Sequence, residues 1–457
     1  MIKSSTQNPK SKIQNRNVSP ARNAAFEILQ KIEKEKAYSS VLLALYEENL
    51  SPRDRSLCHG LTLGVLRKQI FLDKIVEKFT NKNIEKFDLA VRIALRIGLY
   101  QILFTDKIPA FSAINESVNL VHQAKKISAS GLVNAVLRRA TREKIELDFA
   151  DEIEKISIEN SFPRWLIEKW IGQFGLEAAE KIAIASNETP HSAFRFTLET
   201  TNQTKEFFNR KEREEGAENA KKSTYLENSF SVVKLDEQLR ELAGNGEIYF
   251  QDEGSQMVAE AVNLQTDESF LDVCAAPGSK STLIGSKFKV QGSKLFVAGD
   301  FYASRVKVLQ ENCQKQSADF IQILRYDAEI SLPFAEECFD VVLVDAPCTG
   351  TGTIRHNPEI RYFLQKEDFA ELAEKQLKIL KNASKLIKRG GRLIYSTCSL
   401  EIEENETVSE NFLADCAEFQ KISPDLPKRF LTEEGFARTF PHRELMDGFF
   451  IAVFERK

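Results

Sequence analysis

Three stretches in the first third of the chain carry apolar residues at helical spacing. Leu72, Ile75, Val76 and Phe79 fall at i, i+3, i+4 and i+7. Ile93, Ile97, Tyr100 and Phe104 repeat one face, and Val133, Val136, Leu137 and Ala140 do so again. Proline and glycine are sparse between residues 20 and 143 and strand-like alternation is absent, so an all-α bundle is expected there. Residues 144–246 read as a connector. It holds both tryptophans, Trp165 and Trp170, among Leu166, Ile167 and Ile171, as core packing requires. Residues 191–198, HSAFRFTL, alternate in the manner of a strand, and the charged run 205–222 reads as solvated helix and loop. From about residue 247 short apolar runs alternate with helical stretches. Strands are expected at 269–273, 294–298, 320–324, 341–344, 392–395 and 449–454, and helices at 257–263 and 303–314. Such alternation argues for a doubly wound α/β sheet.

At 457 residues the chain is too long for one typical core, and two or three domains are expected. With 42% hydrophobic and 28% charged residues its composition is that of a globular protein, not of a disordered or fibrous one. No apolar run approaches the ~20 residues that cross a bilayer, and the N-terminus lacks the apolar core of a signal peptide. A cytoplasmic protein without membrane contact is the expectation. Seven scattered cysteines form neither a disulfide framework nor a CxxC metal pair, so reduced thiols and no bound metal are expected. The net charge of −4 excludes a uniformly basic nucleic-acid binder and leaves room for local patches. One candidate patch is the start of the chain, where Lys3, Lys10, Lys12, Arg16 and Arg22 occur with no acid. Residues 1–19 read as a basic disordered tail, with phosphate contact as the alternative.

The candidate chemistry lies in three strand-to-loop junctions. In FDVVLVDAPCTGTG, Cys348 follows the apolar run 341–344 and Asp345. In GGRLIYSTCSLEIEENE, Cys398 ends a strand ahead of an acidic stretch from Glu401 that reads as the start of a helix. Open α/β sheets put their chemistry at the carboxyl ends of strands, so the two cysteines can converge on one site. A single cysteine in such a place is more often a small buried hydrophobe; two of them, with these neighbours, argue otherwise. In FLDVCAAPGSKST a turn between strand and helix offers free backbone N–H groups to a charged small molecule. It is not GxGxxG, which weighs against a nicotinamide cofactor. Asp300, at the end of the next strand, suits a ribose-hydroxyl acceptor.

These motifs also carry a resemblance. DAPCTGTG and STCS resemble the two cysteine motifs of the RNA cytosine-C5 methyltransferases, and FLDVCAAPGSKST resembles that family's methyl-donor motif. PRDRSLCHGLTLGVLR, IPAFSAINESVNLVHQA and GLVNAVLRRATR resemble a NusB-type RNA-binding domain. The combination, from about Ala24 to the C-terminus, is similar to the RsmB (Sun/Fmu) 16S rRNA methyltransferases. The resemblance implies a NusB-like all-α domain (20–143), a small α+β subdomain (144–246), and a Rossmann-like, S-adenosylmethionine-dependent methyltransferase domain (247–457). Cys274, Ala275, Ala276, Pro277, Gly278, Ser279, Lys280 and Asp300 would contact the donor. Asp327 would hold its adenine side, and Asp345 would lie between donor and base. Cys398 would be the nucleophile, and Cys348 would assist release of the methylated product. Lys280 would add positive potential. A helix start after Cys398 would lower its thiol pKa. The family's usual glycine is replaced by Ser279, which would be strained if that position needs a positive φ.

Further expectations concern RNA. The substrate implied is 16S rRNA, with a monomeric enzyme. Another RNA such as tRNA, or a non-catalytic NusB-like assembly factor, is the alternative. Arg355, His356, Asn357, Pro358, Arg361 and Tyr362 form a basic and aromatic cluster suited to phosphate grip and base stacking. His442 reads as part of an RNA-facing loop. Arg138, Arg139 and Arg142 either cap a helix end or contact phosphates.

Overall fold

The computed structural model describes residues 18–211, 220–233, 235–288 and 295–457. The expected basic tail lies almost wholly outside the described residues, as does the middle of the charged run at 205–222. The chain forms two compact units. The first takes the described residues through Lys169 together with Asn357–Tyr362; the second takes Trp170–His356 and Phe363–Lys457.

The first unit is helical, as the apolar spacing requires. It contains α1 (Pro20–Glu35), α2 (Ser39–Glu47), α3 (Pro52–Thr80), α4 (Leu89–Phe104), α5 (Ala110–Gln123), α6 (Ser130–Ala140) and α7 (Glu152–Asn160). Side-chain caps start three of them. Ser51 accepts from the Asp54 amide before α3, Asp88 from Ala90 before α4, and Asp151 from Glu154 before α7. The periodic residues Leu72, Ile75, Val76, Ile93, Ile97, Val133 and Leu137 are fully buried. A Cβ at Gly98 would stand 2.5 Å from Leu137 Cδ1, so glycine lets α4 and α6 approach closely. One ion network is buried in the bundle: Arg96 donates to both oxygens of Asp73, at 2.6 and 2.7 Å, and also meets Glu33.

The chain enters the second unit within α8 (Arg164–Phe174) and continues through α9 (Leu176–Ala185). A small antiparallel sheet follows, built from β1 (Ser192–Phe196), β2 (Lys221–Lys222), β3 (Ser229–Val232) and β4 (Ile248–Phe250) in the order β2-β3-β1-β4. Phe194, Phe196, Phe208 and Phe230 fill its core, with α10 (Asn202–Lys211) and α11 (Glu237–Gly244) beside it. The part of the expected connector within this unit is therefore α+β.

A larger sheet follows α12 (Glu253–Val262), which Asp252 caps through the Gly254 amide. Its strands are β5 (Phe270–Asp272), β6 (Phe296–Asp300), β7 (Gln322–Arg325), β8 (Phe339–Asp345), β9 (Ile387–Thr397), β10 (Phe419–Ile422), β11 (Ala437–Arg438) and β12 (Phe450–Arg456). The order is β10-β12-β9-β8-β5-β6-β7, with β11 also on β12. Strands β5 to β9 are parallel; β12 runs antiparallel to β9, and β10 to β12. Both faces are covered, which is why these strands read as unbroken apolar runs. Val341 and Leu343 pack on one face with Leu309 of α14 (Ala303–Lys315) and Ile284 of α13 (Ser279–Phe288). Val342 and Val344 pack on the other with Ile379 of α15 (Asp368–Ser384) and Phe412 of α16 (Glu406–Asp415). This is the Rossmann-like doubly wound architecture. The strand order reverses beside β5, and the crevice at that switch point is where such sheets bind ligands.

Candidate active site

The carboxyl ends of β5, β6, β8 and β9 surround a cavity of about 260 Å³. Of the expected donor contacts, Cys274, Ala276, Asp300, Asp327 and Asp345 line it, and so do Cys348 and Cys398. Ala275, Pro277, Gly278, Ser279 and Lys280 are not among its lining residues; the first three belong to the turn after β5, and Ser279 and Lys280 begin α13. Gly278 has φ +99, and a Cβ there would meet Leu309 Cδ1 at 2.8 Å. Ser279 is the first residue of α13 and has no positive φ, so the expected strain does not arise. The left-handed position belongs to the glycine that this chain retains. Arg305 donates to the Ala276 carbonyl at 2.6 Å and Asn312 to that of Pro277 at 2.9 Å. The Asp300 carboxylate, nearly buried, accepts from the Ala276 amide at 3.3 Å and lies 3.4 Å from Arg305.

Arg195 braces the same turn from β1. Its buried guanidinium donates to Gln251 at 2.7 Å, Thr282 at 2.8 Å and the Ser279 carbonyl at 3.0 Å. Burial brings its pKa down to about 10. In the sequence it stands between Phe194 and Phe196, so alternation alone assigns it to the opposite, wet face of a half-buried strand. Only a signal that both faces are covered could have found it.

Lys280 donates to Asp345 at 2.7 Å, and Ser396 at the end of β9 donates to the other oxygen at 2.8 Å. Burial opposes the lysine charge, but Asp345 outweighs it and its pKa is raised. Asp272, at the end of β5, accepts from Ser281 at 2.6 Å and is 1% exposed. Burial pushes its carboxyl up to about 7, with Asp345 adding to the effect.

The two cysteines of the strand-end motifs meet: Cys348 Sγ lies 3.3 Å from Cys398 Sγ. The Cys348 thiol is held well above its ordinary pKa by its bond to Cys398 and by burial. The expected α-helix immediately after Cys398 is displaced. A single 3-10 turn occupies Ile402–Glu404, and α16 begins only at Glu406. Cys398 favours the charge of Lys280. The Cys398 carbonyl accepts from the Gly352 amide at 2.9 Å. A Cβ at Gly352 would stand 2.1 Å from the Gly448 carbonyl, so three loops close-pack there.

The basic and aromatic cluster behaves differently from its expectation. Arg355 is 5% exposed and donates to Asp252 at 2.8 Å, Asp447 at 2.7 Å and the Leu445 carbonyl at 2.8 Å. His356 Nδ1 lies 3.0 Å from Asp447. Burial and the nearby Asp447 push Asp252 up to about 6. Burial also opposes ionisation of Asp447, but His356 and Arg355 override it and its pKa falls. Asn357–Tyr362 belongs to the helical unit. There Glu359 accepts from the Ser39 amide at 2.7 Å, Arg361 lies 3.8 Å over the Phe162 ring, and Tyr362 donates to the Leu66 carbonyl at 2.6 Å. These charges hold loops in place; composition cannot separate a buried ion pair from a phosphate grip. Arg139 is likewise tied internally, to Glu143 and the Phe79 carbonyl. His442 lines a separate surface cavity with Lys181 and Arg443.

Residues 259–455 match the family model described as 16S rRNA methyltransferase RsmB/F, and residues 19–142 match that of the NusB family. The sequence is 34% identical over 446 residues to the probable ribosomal RNA small subunit methyltransferase B of Bacillus subtilis (strain 168), covering 95% of this chain and 98% of that protein. It is 32% identical over 455 residues to a probable ribosomal RNA small subunit methyltransferase B of Synechocystis sp. (strain ATCC 27184 / PCC 6803 / Kazusa), covering 94% and 98%. The structure matches the crystal structure of PH0851 with a TM-score of 0.81 and 25% identity, over 96% of this chain and 99% of that one. Among the described residues, no helix is long and apolar enough to cross a membrane.

Proposed function

The chain belongs to the ribosomal RNA small subunit methyltransferase B family, and from that premise we propose that it methylates C5 of a cytosine in 16S rRNA through a covalent cysteine–C6 adduct. The observation that carries the reading is the pair of thiols 3.3 Å apart in one cavity with Asp345. One addition needs one thiol; a second, beside it, suits a cycle that must also be undone.

The donor implied is S-adenosylmethionine, and the cavity fits it. Its volume of about 260 Å³ lies just below the ~300–1,000 Å³ typical of small-ligand pockets, so the fit rests on its lining. Asp300 and Asp327 offer carboxylates to hydroxyl and amino groups, and the exposed rings of Phe301 and Tyr302 line the same space. When bound, S-adenosylmethionine supplies an electrophilic methyl group. C5 of cytosine is a poor nucleophile until a thiolate adds to C6 and makes an enamine of the ring; this divides one hard step into easier ones. Cys398 is the proposed nucleophile, its Sγ bonding to C6. Asp345 would hydrogen-bond the cytosine edge and favour protonation at N3, with Lys280 adding positive potential. After methylation the C5 proton passes to water, the C5–H electron pair re-forms the C5–C6 double bond, and the electron pair of the Sγ–C6 bond returns to Cys398. Cys348, a protonated neighbour of that leaving sulfur, assists this release.

The test is transfer of labelled methyl to 16S rRNA by the full chain, with the product mapped by bisulfite sequencing. A new 5-methylcytosine in 16S rRNA is expected. Labelling of tRNA instead would move the substrate, and label on a base other than cytosine would overturn the chemistry.

A further inference from the structure

Behind the two thiols lies one carboxylate that the proposed chemistry does not use. Glu404 is 0% exposed. Its Oε1 accepts from the Thr349 amide and from Gln376 Nε2, each at 2.9 Å. Its Oε2 accepts from Ser399 Oγ at 2.5 Å and from the Thr349 hydroxyl. Thr349 directly follows Cys348, and Ser399 directly follows Cys398. Gln376 also donates to the carbonyl of Pro347, just before Cys348, at 2.9 Å. The Glu404 carbonyl in turn accepts from Tyr395 OH of β9 at 2.5 Å. One side chain therefore ties together both cysteine loops, which arise from strands far apart in sequence.

We propose that Glu404 is the positioning residue that sets the separation of the Cys348 and Cys398 thiols. Its catalytic meaning rests on the covalent reading above; its geometric meaning does not. The reason for a carboxylate is its capacity: two oxygens, each taking two hydrogen bonds, at a place where an amide and three side chains all donate. A buried group with that many partners is held in one rotamer, and the loops it joins are held with it. Glutamine keeps one such oxygen and turns an NH₂ group toward Thr349 and Ser399, whose hydroxyls can rotate to accept. Alanine removes the shared acceptor: the Thr349 and Ser399 hydroxyls, 3.1 Å apart, can then pair with each other, and the Thr349 amide loses its partner.

The separation of the thiols can be read without RNA or donor. Diamide oxidises two adjacent thiols to a disulfide, taking both protons and both electrons as it is reduced to the hydrazine. In the full chain, peptide mapping follows the Cys348–Cys398 link over time. Glu404→Ala should slow the link, and lower kcat, by about tenfold or more, with donor KM little changed; Glu404→Gln should stay within about threefold of the parent on both readouts. A link forming at the parent rate in Glu404→Ala would overturn the proposal. So would slowing in both variants alike together with loss of donor affinity, which would mean that the domain had merely loosened. If the link slows as expected but the parent methylates no cytosine, the covalent reading fails while the positioning role stands.

Discussion

Cys348 Sγ and Cys398 Sγ stand 3.3 Å apart although 50 positions of chain separate them. The closeness follows from topology. β8 and β9 are neighbouring parallel strands, with Asp345 in register with Ser396, so the residues that follow each strand emerge side by side.

The two thiols should nevertheless fail differently. Cys398→Ala is expected to abolish turnover and to leave no covalent RNA–protein adduct. Cys348→Ala is expected to attack and methylate, then stall as a denaturant-resistant adduct that depends on Cys398. Denaturing gels after incubation with rRNA and donor decide the matter. An adduct with Cys398→Ala and none with Cys348→Ala would exchange the roles.

Donor binding should depend on the end of β6. Asp300→Ala removes a nearly buried carboxylate on the cavity wall, and the calorimetric Kd for S-adenosylmethionine should rise about tenfold or more, as expected when a charged hydrogen-bond partner is lost. An unchanged Kd would place the ribose elsewhere.

Stability should vary with pH through Asp272. Its folded pKa, about 7, lies above the ordinary carboxylate value, so the folded state holds a proton that the unfolded chain releases. The resulting stabilisation is fully present below the ordinary carboxylate range and is lost as pH rises through about 7. At ~1.4 kcal/mol per pH unit, the parent should lose up to about 3 kcal/mol relative to Asp272→Asn between pH 5 and pH 8. Urea unfolding of both proteins at the two pH values measures it; parallel curves would mean that the carboxyl is ionised throughout.

Arg355 separates a structural ion pair from a phosphate grip. Arg355→Ala leaves Asp252 and Asp447 buried without their guanidinium, and should cost about 3–5 kcal/mol of stability. The salt dependence of RNA binding by the folded variant should match that of the parent. A slope reduced by about one, with stability intact, would return Arg355 to the RNA.

Much of this site was legible because its signals are local. The runs at 341–344 and 392–395 ended where apolar residues gave way to Asp345 and Ser396, and that sufficed to find two strand ends. What escaped depended on distant partners. Arg355 and Arg361 look alike in sequence, and both look exposed, until Asp252, Asp447 and Phe162 arrive from elsewhere in the chain. Arg195 and Glu404 were silent because their hydrogen bonds join segments that no spacing rule connects. The acidic stretch after Cys398 suggested a helix, yet Glu404 is turned inward among donors, and regular helix waits until Glu406. The condition for strain at Ser279 is not met, because the φ requirement falls one residue earlier, on Gly278.

The passage of Asn357–Tyr362 into the helical unit bears on how such proteins can be recombined. Glu359, Arg361 and Tyr362 supply that unit with an acceptor for Ser39, a cover for Phe162 and a donor for Leu66. A contiguous N-terminal piece that ends with the helical segment at Lys169 lacks them. The helical unit is thus not a cassette: exchanging it between relatives would transplant a body with one stave missing, and a working chimera must carry six residues from the far side of the gene.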